Sequence, residues 1–336
     1  MKIRNSLLAL LFGCTALPVL ADEVNVYSHR QPELIQPLLD AFTAETGIAV
    51  NVAFVDKGMV ERLVAEGDRS PADLVLTVDI ARLTQVVDAG VTQAVQSDVL
   101  TAAIPAQFRD ANNQWFGLTT RSRVVYASND RVKPGEVTTY EDLADPKWKG
   151  RICSRSGTND YNIALLGAVI AHDGMDAAKT WVEGLKANLA RKPDGGDRDQ
   201  VKAIAAGECD IAIGNTYYIG QMLTDPEQKA AAETVNVVFP TFANGGGSHM
   251  NISGVAMTKA APNHDAAVKL MEFLVSDEAQ KMYAETNFEF PVKAGVPVSA
   301  LVASWGAFTP DTLPLAEVAA QRPAALKVME EVDFDG

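Results

Sequence analysis

Cysteine, histidine and long apolar runs are scarce in this sequence. Three cysteines and four histidines are spread over 336 residues. No stretch approaches the roughly 18 uninterrupted apolar residues that a membrane-spanning helix needs. Internal repeats and low-complexity segments are also missing. We therefore expect a folded globular protein without a membrane span.

Positive charge is scarce as well. Lysine and arginine total 29 against 43 aspartates and glutamates, so the formal net charge is −14. Negative charge of this size argues against nucleic acid or an anionic membrane surface as a partner. It is compatible with a cationic or metallic ligand. We expect a soluble monomer that binds no nucleic acid.

Residues 1–21 have the pattern of an export signal peptide. Lys2 and Arg4 precede the apolar run at 7–12, and small or apolar residues come just before Asp22. Cys14 lies in the apolar region without the small residues that a lipoprotein anchor requires. We expect cleavage near Asp22 and a periplasmic protein.

Export determines how the other two cysteines are interpreted. In an oxidising compartment, an isolated pair such as Cys153 and Cys209 is expected to form one disulfide. The alternative is two buried thiols. A disulfide leaves neither sulfur as a nucleophile, so we expect no enzyme, although a transferase that uses one of these thiols is a rival hypothesis.

Strand-like and helix-like segments alternate along the chain. β-rich stretches at 24–27, 48–55 and 73–77 are separated by helical periodicity at 32–46 and 59–66. A βαβ opening of this kind predicts an α/β fold with a parallel sheet.

The chain after the signal peptide is longer than one hydrophobic core usually organises, so we expect two lobes. A second α/β set begins near residue 150, and a strand-like segment at 251–258 indicates a return to the first lobe. The predicted units are a first lobe of 22–120 with 240–295, a second lobe of 121–239, and a C-terminal helical tail of 296–336. Discontinuous lobes joined by two crossing strands predict a clamshell with its cleft at the carboxyl ends of the strands.

Three tyrosines lie at strand-to-helix junctions of the second lobe. Tyr217 and Tyr218 directly follow the strand-like segment 211–214, and Tyr161 comes just before a helix. Neighbours on a regular strand point to opposite faces, so both hydroxyls of the pair reach the cleft only if the chain bends or a helix begins there. An adjacent tyrosine pair is otherwise often half core and half surface, and Tyr161 alone could be a packing residue.

Three converging phenol oxygens suit a hard, highly charged cation, because such a cation favours phenolate despite a free pKa of about 10. Ferric iron fits, since tyrosinate is an iron ligand in proteins. Calcium and magnesium would recruit carboxylates and carbonyls, and zinc would recruit histidine or thiolate. Arg30 and Arg121 are candidates to bind an accompanying anion such as carbonate. His29 could be a ligand, a hydrogen-bond donor in the cleft, or a solvent-facing residue.

Arg121 and Arg123 alternate along one strand-like segment. Because side chains on a strand point alternately to its two faces, one should face the cleft and the other solvent. We expect Arg121 to face the cleft.

Several separate motifs, in the same order, resemble those of the ferric-ion-binding proteins of bacterial ABC importers. Over essentially the whole mature chain they are Tyr27-Ser28-His29-Arg30, Ser70-Pro71-Ala72-Asp73, Trp115-Phe116-Gly117-Leu118, Tyr140-Glu141-Asp142-Leu143, Asn215-Thr216-Tyr217-Tyr218 and Phe290-Pro291-Val292. The resemblance implies a type II-like periplasmic binding protein fold and delivery of Fe3+ to an ABC importer permease in the inner membrane.

The same resemblance implies roles for particular residues. Tyr161, Tyr217 and Tyr218 correspond to the family's iron ligands, and Arg121 to its anion-contacting arginine. Many members have His-Tyr where this chain has Gln31 and Pro32. Closure of the first lobe must therefore depend on something else, with Tyr27, His29, Arg30 or a small anion as options. The alternative function is the same fold binding a small organic solute or anion.

Overall fold

A computed structural model of the protein describes residues 22–55 and 57–336, so the predicted signal peptide lies outside the described residues. The strands are β1 (Glu23–Ser28), β2 (Ala49–Phe54), β3 (Leu74–Thr77), β4 (Thr92–Gln93), β5 (Phe116–Ser128), β6 (Ile152–Cys153), β7 (Ile211–Asn215), β8 (Val235–Val238), β9 (Met250–Thr258) and β10 (Phe290–Pro291). The helices are α1 (Pro32–Thr46), α2 (Met59–Glu66), α3 (Ile80–Asp88), α4 (Asp98–Ala103), α5 (Asp160–Asp173), α6 (Met175–Ala187), α7 (Asp197–Ala205), α8 (Thr216–Thr224), α9 (Lys229–Ala232), α10 (His264–Leu274), α11 (Asp277–Asn287), α12 (Ala300–Ser304), α13 (Leu315–Ala320) and α14 (Arg322–Glu331).

Local sequence signals set the ends of the early elements. Helix α1 begins at Pro32, whose fixed φ suits a first helical position, and is followed by Gly47 at a φ of 73°. The Asp79 carboxylate caps α3 by accepting a hydrogen bond from the Ala81 amide at 2.7 Å. The helices predicted at 32–46 and 59–66 are confirmed with those bounds.

The sheet is mixed rather than parallel throughout. Its main strand order is β2-β1-β3-β9-β5-β7-β6, with β4 against β9 and both β8 and β10 against β5. Strand β1 pairs in parallel with β2 and β3, as the βαβ opening predicts, and β6 pairs in parallel with β7. The prediction of a parallel sheet is wrong for the centre, because β9 returns antiparallel to β3 and β5.

Strand β5 serves both halves of the sheet. Its residues 116–122 pair with β9, whereas residues 123–127 pair with β7. The Tyr140 hydroxyl ties this crossing to the one that enters β9, because it donates to the Arg123 carbonyl at 2.6 Å and accepts from the His249 amide at 2.9 Å. Both crossings are therefore held together at one buried point.

Apolar cores lie on either side of this crossing. One is centred on helices α1 and α10, where Phe42 packs against Phe273 with ring centroids 5.6 Å apart. Another is centred on α5 and α6 and includes Trp148 together with Met329 from α14. Helix α14 thus packs onto the second half of the molecule. The lobe boundaries given above stay predictions of where rigid-body movement divides the chain.

Cys153 at the end of β6 and Cys209 just before β7 form a disulfide, which confirms the predicted pairing. It joins two neighbouring strands of the second half of the sheet. Among the described residues, no helix combines the length and the apolar character that crossing a bilayer requires.

We predict that replacing both cysteines with alanine lowers the free energy of unfolding by about 4 kcal/mol, because the disulfide restricts a long loop of the unfolded chain. The two cysteines are 56 residues apart. Guanidinium unfolding of the double variant and of the reduced wild type measures the change, and both should shift alike. An unchanged midpoint in both would contradict the prediction.

Candidate functional site

A cavity of about 210 Å³ lies between the two halves of the molecule. All the residues predicted for the ligand site line it: His29, Arg30, Arg121, Tyr161, Tyr217 and Tyr218. The structure thus brings together side chains that are up to 189 positions apart in the sequence, from His29 to Tyr218. Two further arginines and two carboxylates also line the cavity: Arg82, Arg155, Asp160 and Glu289.

The tyrosine pair reaches the cavity because a helix begins there. Strand β7 ends at Asn215 and α8 starts at Thr216, as one of the two predicted arrangements required. The start of the helix is fixed from behind by Tyr126, whose hydroxyl donates to the Asn215 carbonyl at 2.6 Å. Only glycine fits at position 214, since a Cβ there would come within 2.2 Å of the Tyr126 ring.

The phenol groups lie close to one another. The rings of Tyr217 and Tyr218 have centroids 4.3 Å apart, and the Tyr217 hydroxyl donates to the Tyr161 hydroxyl at 3.3 Å. The Asn215 side-chain amide donates to the Tyr217 oxygen at 3.3 Å. Asn159 places Tyr161 at the start of α5 by accepting its backbone N–H at 3.0 Å.

Burial opposes ionisation of these phenols. It raises the pKa of Tyr217 well above the ordinary value, and the nearby Tyr161 and Tyr218 raise it further. Burial is also the main cause that raises the pKa of Tyr218, with Tyr161 and Asp197 adding to it. The groups of the protein alone therefore keep both phenols protonated, and only added positive charge would turn them into anionic donors.

The two arginines predicted to bind an anion have different surroundings. Arg30 is paired bidentately with Glu289, with both N···O distances 2.8 Å, and donates to Ser253 at 2.6 Å. Arg121 is 1% exposed and reaches Ser253 only at 3.4 Å. Its Nε and Nη2 have no hydrogen-bond partner in the described part of the chain. Arg121 is thus the arginine with donors to spare.

The prediction that Arg123 faces solvent is wrong. Its side chain is 2% exposed and donates to the Asp197 carboxylate at 2.7 Å and to the Asn162 side-chain amide oxygen at 2.7 Å. Every residue of β5 is buried, because this strand is covered on both faces where it changes partners. Arg121 and Arg123 consequently both come within 6 Å of the Tyr161 ring, at 5.7 and 5.6 Å.

Asp197, at the start of α7, organises the charges behind the tyrosines. Its carboxylate pairs with Arg123 at 2.7 Å and Arg155 at 3.0 Å and accepts the Asn215 backbone N–H at 2.8 Å. Burial alone would raise the pKa of Asp197, but the two arginines lower it below the ordinary value. Position relative to a strand could have pointed to two of these residues, because Arg155 follows β6 and Asn215 ends β7. No such signal marked Asp197.

His29 has no charge at neutral pH. Burial, helped by the nearby Arg82, lowers its pKa to about 4. Its Nδ1 is buried and lacks a hydrogen-bond partner among the residues described. Within residues 22–55 and 57–336, no group of three or more His, Cys, Asp or Glu could hold a metal ion.

A profile of the family described as bacterial extracellular solute-binding protein matches residues 38–310. The sequence is 45% identical over 316 residues to iron uptake protein A1 of Synechocystis. The aligned region covers 93% of this chain and 87% of that protein.

Solved structures of iron-binding proteins are also similar to this chain. The chain is similar to the apo ferric ion-binding protein A of Pasteurella haemolytica, with a TM-score of 0.91 and 54% identity over 94% of this chain and 99% of that one. It is also similar to a Trichodesmium protein in complex with iron and citrate, with a TM-score of 0.86 and 41% identity over 93% and 99% of the two chains. These likenesses confirm the predicted two-lobed α/β fold.

We predict that Asp197→Asn lowers the free energy of unfolding by about 3 kcal/mol at pH 7, because it leaves buried arginines without their counter-charge. The folded-state pKa of Asp197 is lowered, so its stabilising effect is present above the unfolded pKa of about 4 and is lost as the pH falls through the folded value. The gap between variant and wild type should therefore shrink in acid. Urea unfolding at several pH values measures it.

Asp88→Asn, at an exposed position on α3, is the matched control and should change stability little at any pH. A gap for Asp197→Asn that stays constant down to pH 3 would contradict the electrostatic explanation.

Proposed function

The chain belongs to the bacterial extracellular solute-binding protein family, and from that premise we propose that it captures ferric iron outside the cytoplasm and delivers it to an ABC importer. Support comes from relatives named for iron uptake and ferric iron binding. The observation on which the proposal rests is the grouping of three tyrosines around one cavity.

In this proposal Tyr161, Tyr217 and Tyr218 lose their protons when iron binds. Three phenolates balance the charge of a trivalent ion, and its field offsets the burial that otherwise raises the pKa values of Tyr217 and Tyr218. Asn215 and Tyr161 already contact the Tyr217 oxygen, so this ligand is oriented before iron arrives. Neutral His29 is the candidate nitrogen ligand from the first lobe.

A small anion would complete the coordination sphere. Carbonate is one candidate, and a carboxylate is another, since the Trichodesmium relative holds iron with citrate. Arg121 supports this step because two of its donor nitrogens, Nε and Nη2, are buried without partners among the described residues. Guanidinium binds a planar oxyanion with two parallel hydrogen bonds.

We place this cycle in the periplasm, with a monomer handing iron to an inner-membrane permease. No catalysis is proposed, since the family is one of binding proteins and both candidate nucleophiles, Cys153 and Cys209, are joined in a disulfide. Release would follow from docking on the permease, from reduction of the iron, or from protonation of the phenolates.

We predict that wild-type protein loaded with ferric iron shows a visible phenolate-to-iron charge-transfer band, and that Tyr217→Phe weakens iron binding at least about tenfold and shifts or abolishes the band. Absorbance titration against a competing chelator measures both.

Tyr27→Phe is the control, because the Tyr27 hydroxyl bonds to Glu66 at 2.8 Å and the residue does not line the cavity. A colourless wild type that binds no iron, or tight binding of a small organic solute in calorimetry, would contradict the proposal.

We predict that Arg121→Gln abolishes the dependence of iron affinity on bicarbonate, whereas Arg30→Gln keeps it and instead destabilises the fold. The reason is that Arg30 neutralises the buried Glu289, while Nε and Nη2 of Arg121 have no partner in the described part of the protein. Iron titrations with and without bicarbonate, together with thermal unfolding, separate the two effects. Anion dependence that survives in Arg121→Gln and disappears in Arg30→Gln would reverse the assignment.

A further inference from the structure

A carboxylate beside the tyrosines is held by two arginines from different parts of the molecule. Asp160 Oδ2 accepts from Arg82 Nη2 at 2.7 Å and from Arg82 Nε at 2.9 Å. Its other oxygen, Oδ1, accepts from Arg322 Nη2 at 2.8 Å. Each carboxylate oxygen therefore has its own arginine.

The two arginines reach Asp160 from elements that pack in different halves of the molecule. Arg82 lies on α3, whose Ile80 and Leu83 belong to an apolar cluster with strands β1 and β3 of the first lobe. Arg322 starts α14, which packs on α5, the helix that begins with Asp160. The Arg82 pair thus spans the lobes, whereas the Arg322 pair joins elements of one lobe.

An apolar contact runs alongside this ion pair. Helix α13 packs against both α3 and α5. Its Leu315 and Ala319 join the first-lobe cluster, while its Val318 joins the core around α5. The approach to α5 is close, because a Cβ at Gly167 would lie 2.9 Å from the Val318 carbonyl oxygen. The lobes therefore meet along α13 next to Arg82.

The other first-lobe arginine of the cavity wall, Arg30, already has an ion-pair partner in its own lobe. Arg30 is paired with Glu289, which follows α11, and α11 packs on α1. Among the described cavity residues, Arg82 is the first-lobe group with an ion-pair partner across the cleft. That partner directly precedes Tyr161 in the first turn of α5.

We propose that Arg82 is the positioning residue through which the first lobe closes over the iron site, by pairing with Asp160 rather than by donating a ligand to the metal. Closure and Tyr161 are then linked through one helical turn. The iron readout below rests on the proposed function, but the pairing itself is tested without metal.

The decisive comparison is Arg82→Gln against Arg322→Gln, since both remove one arginine from the same carboxylate. Small-angle X-ray scattering of the metal-free and iron-loaded proteins measures how open the lobes are. Arg82→Gln should give a larger radius of gyration than wild type in at least one of the two states. Arg322→Gln should match wild type in both.

Iron release to a chelator gives a second readout. Arg82 and Asp160 are 24% and 17% exposed, so the pair is of modest strength and its loss should speed release about two- to fivefold. Added sodium chloride should speed release from wild type and from Arg322→Gln but have less effect on Arg82→Gln, because salt screens exposed charges.

Two results would overturn the inference. One is scattering of Arg82→Gln that equals wild type in both states. The other is equal opening in Arg322→Gln, which would mean that Asp160 acts within the second lobe. Failure of the proposed function would look different, since wild type would then bind no ferric iron while the scattering comparison still reports on the ion pair.

Discussion

Burial makes ionisation unfavourable for two of the three clustered phenol groups, Tyr217 and Tyr218. Tyr217 and Tyr218 both have raised pKa values, chiefly because they are buried, and the nearby Tyr161 raises both further. In surroundings of low dielectric, a nearby cation acts on them more strongly than it would in water. The more charge the cation carries, the better it offsets the free-energy cost of ionising the buried phenols. If the proposed tyrosine site holds the metal, a trivalent ion would be favoured over a divalent one without a cavity of selective size.

Such a site works only if the phenol oxygens already point toward one centre before the ion arrives. The second lobe provides this rigidity in three places. Tyr126 packs against Gly214 and fixes the first turn of α8, and Asp197 holds the arginines behind the rings. The disulfide joins the strands that lead into the site. All three supports belong to the same half of the molecule as the tyrosines.

Local patterns in the sequence were enough to predict several elements of the fold and of the site. Helix α1, the strand before the tyrosine pair and the disulfide depend on neighbouring residues or on the compartment, and all were found. The prediction that Arg123 faces solvent was wrong because strand alternation assumes that one face of the strand is open to solvent, whereas β5 is covered on both faces.

Contacts between distant segments could not be read from local patterns. Arg82 and Asp160 are 78 positions apart, and Arg30 and Glu289 are 259 apart. Periodicity says which face of its own helix or strand a residue occupies, but it does not say which segment packs opposite. Asp197 illustrates the limit, since a carboxylate at a helix start is usually a solvent-exposed cap and here it is fully buried.

The two arginine–aspartate pairs of the site differ in a way that suits different tasks. Arg123 and Asp197 are 2% and 0% exposed, so separating them would leave charges stranded in the protein interior, and the pair acts as permanent support. Arg82 and Asp160 remain partly hydrated, and water can solvate both groups once they part. A protein that must hold iron and later release it needs a contact of the second kind between its lobes. A fully buried pair in that position would make closure tighter, but it would also slow the opening on which delivery depends.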